Sequence, residues 1–107
     1  MVNMIIYLKK EHNPNLLIEK LFNEELIGKA SIDVDNVAYI KKDHKVEKVI
    51  NSVITIQTKA VLFTEITTLI EKEFGEDVLI TSIPIVGSNV SFDKIIRENT
   101  KTKHHQN

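Results

Sequence analysis

Residues 3–10, NMIIYLKK, put apolar side chains on both sides of a short β-branched segment. In an extended chain Ile5 and Tyr7 point one way, and Met4, Ile6 and Leu8 the other. A strand with no polar face needs cover on both sides, so this one belongs inside a sheet. With 107 residues the chain can build one real core but not two. One covering layer must therefore come from helices of the same domain. The other side of the sheet needs its own account.

The helices are legible. In HNPNLLIEKLFNEELIG, Asn13 is placed to cap and Pro14 suits the first helical position. Leu17, Ile18, Leu21, Phe22 and Leu26 recur at three- and four-residue spacing, and Gly28 is expected to end the helix with positive φ. A second stripe, Leu62, Phe63, Ile66, Leu69, Ile70 and Phe74, runs from Ala60 to a stop at Gly75. Between them lie two segments of strand periodicity, 30–42 and 46–58, joined by a polar tip at KDHK, with an irregularity expected near Asp35-Asn36. An apolar strand over 76–86 and a short helix over 90–99 complete the pattern.

The order is β-α-β-β-α-β plus a C-terminal helix. This predicts an α+β, ferredoxin-like fold, with both main helices on one face of a four-stranded antiparallel sheet. Residues 1–100 read as one domain and 101–107 as a polar tail. The first strand presents Ile5 and Tyr7 one way and Met4, Ile6 and Leu8 the other, and the last presents Val78 and Ile80 one way and Leu79, Ile83 and Ile85 the other, so the helix-free face is apolar whichever side it takes. An apolar sheet face of that kind marks an interface, so the chain is expected to self-associate through its sheet.

Composition narrows function mostly by exclusion. The net charge of −1 offers no basic footprint for nucleic acid. The absence of cysteine removes disulfides, thiolate metal sites and a cysteine nucleophile. The N-terminal apolar run MIIYL falls short of both the roughly 7–15 residues of a signal-peptide core and the about 20 of a membrane span. A cytoplasmic protein with no membrane or nucleic-acid partner is expected. The three glycines are widely separated, which leaves no phosphate loop, and no nucleophile–base constellation stands out. The chain does not read as an enzyme.

The run IPIVGSNVSFDKIIRENT (83–100) resembles the strand–Pro–apolar–Gly-Asn–helix ending of the CutA divalent-cation tolerance family. LLIEKLFNEELIGKASI (16–32) is similar to that family's first helix and second-strand entry, and VITIQTKA (53–60) to its third strand. Tyr39 stands at a family tyrosine, and Phe63 with its stripe fits the second helix. Together these matches cover about residues 4–100. The resemblance implies a homotrimer of sheets packed edge to edge, no required cofactor, and a link to copper or another divalent metal ion. It implies binding of a small ligand or metal ion in a regulatory or ion-tolerance role. The departures fall on the site. GKASI lacks the family's cysteine, Lys41 replaces a tryptophan, and Gln57 replaces a lysine. FGEDVLITSIP stands where the family has a His-Pro-Tyr…Pro-Glu segment. The alternative is therefore a ligand-free trimeric scaffold or protein-interaction module.

Four residues are carried as cleft candidates: Tyr39, Gln57, Glu76 and Asp77. Asn89 or Ser91 can cap the last helix, the resemblance favouring Asn89, and Gly87 reads as a position needing unusual backbone geometry. Asp33 and Asp35, two apart on a strand, with Asn36, would suit a hard cation, although a half-exposed strand shows the same spacing. His12 and His44 read as solvated loop residues, and the metal set is left unassigned. His104 and His105 could take a transition metal adventitiously.

Overall fold

The computed structural model describes residues 1–102; residues 103–107 of the expected tail, with the His104-His105 pair, lie outside the described residues. The elements are β1 (Val2–Lys9), α1 (Pro14–Asn23), β2 (Lys29–Lys42), β3 (Lys45–Thr58), α2 (Phe63–Phe74), β4 (Leu79–Pro84) and α3 (Val90–Asn99). A single 3-10 turn, Ala60–Leu62, leads into α2. The sheet order is β2-β3-β1-β4 and every pair is antiparallel. This is the predicted α+β architecture.

Strand alternation and helix period meet in one core. Met4, Ile6 and Leu8 of β1 and Ile54 and Ile56 of β3 are fully buried against Leu17 and Leu21 of α1 and Ile66 and Ile70 of α2. Burying a large aliphatic side chain contributes about 1.5–3 kcal/mol, so these residues dominate the stabilisation.

Local chemistry sets the helix ends. Asn13 accepts a hydrogen bond from the Asn15 N–H at 2.9 Å, and Pro14 fills the first helical position. At the other end the expectation for Gly28 fails. The helix closes three residues earlier through Glu25, whose φ is 57°. The Leu26 N–H donates to the Leu21 carbonyl and the Glu25 N–H to the Phe22 carbonyl, both at 3.0 Å, which is a Schellman closure. Leu26 and Leu21 are both fully buried, and that apolar pair lets a glutamate occupy the left-handed position. We expect Glu25→Gly to raise the denaturant midpoint, with a gain of about 0.5–1 kcal/mol from the relieved left-handed strain. A lowered midpoint would show that the Glu25 conformation carries no strain.

Gly75 ends α2 as predicted, with φ 105° and ψ 156°, a combination essentially confined to glycine. β4 starts later than the apolar run suggested, at Leu79, because residues 76–77 turn and the Val78 N–H reaches the Gly75 carbonyl. Pro84 closes β4 opposite Val2 at an outer edge of the sheet, where a missing N–H breaks no ladder.

The β2–β3 hairpin is much longer than β1. Only residues 51–58 of β3 pair with β1, so 36–42 and 45–50 project as a two-stranded arm. Its tip is a two-residue turn with Asp43 at φ 51° and His44 at φ 66°, the geometry that matches strand twist. The irregularity near Asp35 is a bulge between Asp33 and Asn36, with Asp35 at φ 57°. The arm lifts the radius of gyration to 14.8 Å, above the about 13 Å of a compact domain near this length.

Candidate functional site

The helix-free face divides into two halves. β1 and β4 contribute Ile5, Tyr7, Leu79 and Ile83, and β3 adds Val53. Leu79 and Ile83 remain 54% and 52% exposed. The β2 side of the same face is polar, with Lys29, Ser31 and Asp33 opposite Gln57, Thr55 and Val53. The expectation of apolar residues on this face therefore holds for its β1–β4 half.

At the end of that face, where the β4–α3 connection passes over it, lies a cleft of about 380 Å³. Asn3, Lys29 and Gln57 line it from the sheet, and Ile85, Gly87, Ser88, Asn89 and Phe92 from the connection and α3. The register explains the sheet wall. Gln57 pairs with Asn3 on one side and Lys29 on the other, so three neighbouring strands present these side chains together. The Gln57 Nε2 donates to Asn3 Oδ1 at 2.6 Å. Gln57 is only 7% exposed, and its Oε1 has no hydrogen-bond partner. The resemblance expects a lysine at 57; the positive charge stands one strand over, on Lys29.

α3 forms the opposite wall. Asn89 caps it, its side chain accepting from the Phe92 N–H at 3.0 Å. Gly87 needs neither unusual φ nor space: its φ lies outside the left-handed region, and nothing stands within 4 Å of where a Cβ would project. The expectation of a special conformation there is overturned, because an extended connection suffices. Gly28 has the constraint instead. A Cβ on it would lie 2.9 Å from the Ile95 carbonyl oxygen and from Ile96 Cδ1. Ile96 is almost fully buried at this contact, and the Lys101 N–H donates to the Glu25 carbonyl at 2.8 Å. Lys59 Nζ reaches the carbonyls of Thr100 and Lys101 at 3.1 and 3.3 Å. The Lys101 bond holds the end of α3 to the α1–β2 connection, the Lys59 bonds hold it to the β3–α2 connection, and together they fix the cleft.

The other candidates lie elsewhere in a single chain. Tyr39 is on the hairpin arm opposite Lys48, 69% exposed. Nine residues of β3 separate that position from Gln57, about 30 Å of strand. Asp77 sits beyond the other end of β1, where it accepts a hydrogen bond from Lys9 at 2.6 Å. Six strand residues, about 20 Å, lie between Lys9 and Asn3. Glu76 shares that exposed turn. The Lys9 hydrogen bond holds the Asp77 carboxyl below its ordinary value, and the same bond raises Lys9. Asp77 thus favours the fold above the unfolded carboxylate pKa and loses that effect as pH falls through its lowered value. Lys9 favours it below the unfolded lysine pKa and loses it as pH rises through its raised value. Both groups are solvated, so the effect is slight.

Asp33 and Asp35 do not form a pair. The bulge separates them, and Asp35 instead takes the Lys10 ammonium as its partner. His12 stacks edge-on against Phe74 at 5.1 Å, and His44 occupies the hairpin turn. Among the described residues, no three His, Asp or Glu side chains gather as metal ligands. The cleft has no carboxylate, imidazole or thiol on its walls, so within one chain it does not fit a divalent cation. Lys29, Asn3 and Phe92 were not among the sequence candidates. None has a local signature; counting strand register back from Gln57 would have found the first two.

Neither a protein-family model nor a curated protein matches the sequence. Solved structures do match the fold. CutA1 from Oryza sativa superposes with a TM-score of 0.87 at 17% identity, over 95% of this chain and 94% of that one. CutA1 from Pyrococcus horikoshii gives 0.85 at 19% identity, over 95% and 100%. The periplasmic divalent cation tolerance protein CutA from Archaeoglobus fulgidus gives 0.85 at 18% identity, over 94% and 100%. The chain therefore has the CutA1 fold over about 95% of its length. Among the described residues no helix is long and apolar enough to cross a membrane.

Proposed function

We propose that the chain works as a CutA-type homotrimer, a cytoplasmic, non-catalytic protein that binds a small ligand or divalent metal ion in a regulatory or ion-tolerance role. The observation that carries this reading is the match to the CutA1 fold over 94% of the chain, seen in proteins described as divalent cation tolerance proteins. Exposed apolar surface supports the assembly. Leu79 and Ile83 lie bare on the open face, and Val37, Tyr39, Val46 and Ile50 share one face of an arm that none of the other described residues covers. A lone two-stranded arm is marginal in water and gains stability from a neighbour. Of the two ligand types, the cleft chemistry favours the small molecule.

One observation favours a second reading, a trimeric scaffold without a ligand. Tyr39, Gln57 and Asp77 do not converge in one chain, so a cleft containing them all needs contributions from several copies. Sedimentation equilibrium at micromolar concentration tests the assembly: a mass about three times 12.2 kDa is expected, and a monodisperse single chain would remove the proposal. Thermal-shift titration of the trimer with copper, zinc and small metabolites then separates the readings. A saturable shift supports ligand binding, and none favours the scaffold.

A further inference from the structure

We infer that the cleft between the sheet end and the start of α3 receives a small oxyanion, the phosphate or carboxylate group of a metabolite-sized ligand. This deepens the ligand-binding reading above and rests on it.

Two features make the cleft electropositive. Lys29 is the only charged residue on its walls, and it has no carboxylate within ion-pair distance among the described residues. The ten-residue helix α3 begins at the same wall. Its cap serves the Phe92 N–H, and the Asp93 N–H bonds the Asn89 carbonyl. The Val90 and Ser91 N–H groups at the first two helical positions have no intrahelical acceptor, and the helix dipole adds positive potential there. Asp93, the acid in the first turn, is engaged by Arg97 Nε at 3.2 Å.

Gln57 is the independent observation that points to a ligand. Its carboxamide is almost wholly buried on the cleft wall, and one end is satisfied by Asn3. Its other end has no partner, and an unpaired buried polar atom is unfavourable unless something supplies the missing bond. As placed, Oε1 accepts, which suits a ligand hydroxyl or amine beside the anion. If both amides are turned about, the free end donates and suits an oxyanion oxygen directly. Ile85 and Phe92 offer apolar contact to the rest of the ligand, and about 380 Å³ lies at the small end of metabolite pockets.

The test is amide NMR on the ¹⁵N-labelled full chain at fixed ionic strength, titrated with pyrophosphate and, separately, citrate. Saturable shifts confined to Val90, Ser91 and the Gln57 side-chain amide are expected, and the probe that produces them identifies phosphate or carboxylate as the source. Lys29→Gln should weaken binding by about tenfold or more, and Lys29→Arg should retain it. Lys45→Gln at the hairpin tip should leave it unchanged. Shifts that never saturate, spread over the surface or survive Lys29→Gln overturn the assignment. If copper or zinc moves these amides and neither anion does, the oxyanion is wrong while ligand binding at the cleft stands. A proven trimer silent to every probe removes both.

Discussion

The double variant Leu79→Lys/Ile83→Lys is expected to sediment at 12.2 kDa, the mass of one chain, where the parent sediments at about three times that value. Both side chains alternate onto the helix-free face of β4, opposite Tyr7 and Asn3. The same strand turns Ile80 into the core, so the substitutions leave the helix-facing packing alone. In a trimer closed through this face, six ammonium groups would enter a shared apolar interior. Each carries a desolvation penalty of several kcal/mol with no partner to offset it. The lost burial of the two aliphatic side chains acts in the same direction. Far-UV circular dichroism should keep the helical signal, because the helix-facing core is untouched, and any loss should be confined to the strand signal of the arm that no longer has a neighbour. Leu16→Lys, an equally exposed position on α1, is the control and should keep the parent mass. If the double variant keeps that mass too, the copies meet elsewhere and the open-face trimer is wrong.

Much of the fold was legible because two periods coincide with two kinds of burial. Met4, Ile6 and Leu8 alternate, Ile66 and Ile70 recur one turn apart, and both sets reach the same core. The misses share a cause: each depends on packing or pairing rather than on local propensity. Gly28 looked like a helix stop because it follows an apolar stripe, yet a helix almost seventy residues later dictates its missing side chain. Glu25 gives no glycine-like signal, and only the buried Leu21–Leu26 contact explains its backbone. The site shows the same pattern. Gln57 stood out by comparison with a family, whereas Asn3 and Lys29 became visible only through strand register. Asp33 and Asp35 look paired on paper, and a single bulge residue separates them. Local propensity set the elements here, while the cleft is a product of pairing and docking.

Gly28→Ala and Gly87→Ala should behave oppositely, and the contrast tests how the cleft is built. Sequence context made both glycines look like backbone devices. At Gly28 an added methyl would meet the Ile95 carbonyl oxygen and Ile96 Cδ1 at 2.9 Å and Ile96 Cα at 3.0 Å. Two of those three atoms are helix backbone and cannot rotate away, so α3 must move as a body. Overpacking of this kind costs about 1–3 kcal/mol, and Gly28→Val should cost more than Gly28→Ala. Moving α3 also strains the Lys59 bonds to Thr100 and Lys101 and displaces the cleft wall at Asn89 and Phe92. The Gly28 variants should therefore lose both denaturant stability and the confined pyrophosphate or citrate shifts. Gly87→Ala meets nothing within 4 Å and needs no positive φ. It should be neutral or stabilising by about 0.4–1 kcal/mol, through the reduced freedom of the unfolded chain. Equal midpoints for the two alanine variants would mean that α3 does not seat against Gly28, and the cleft would lose the contact that defines its depth.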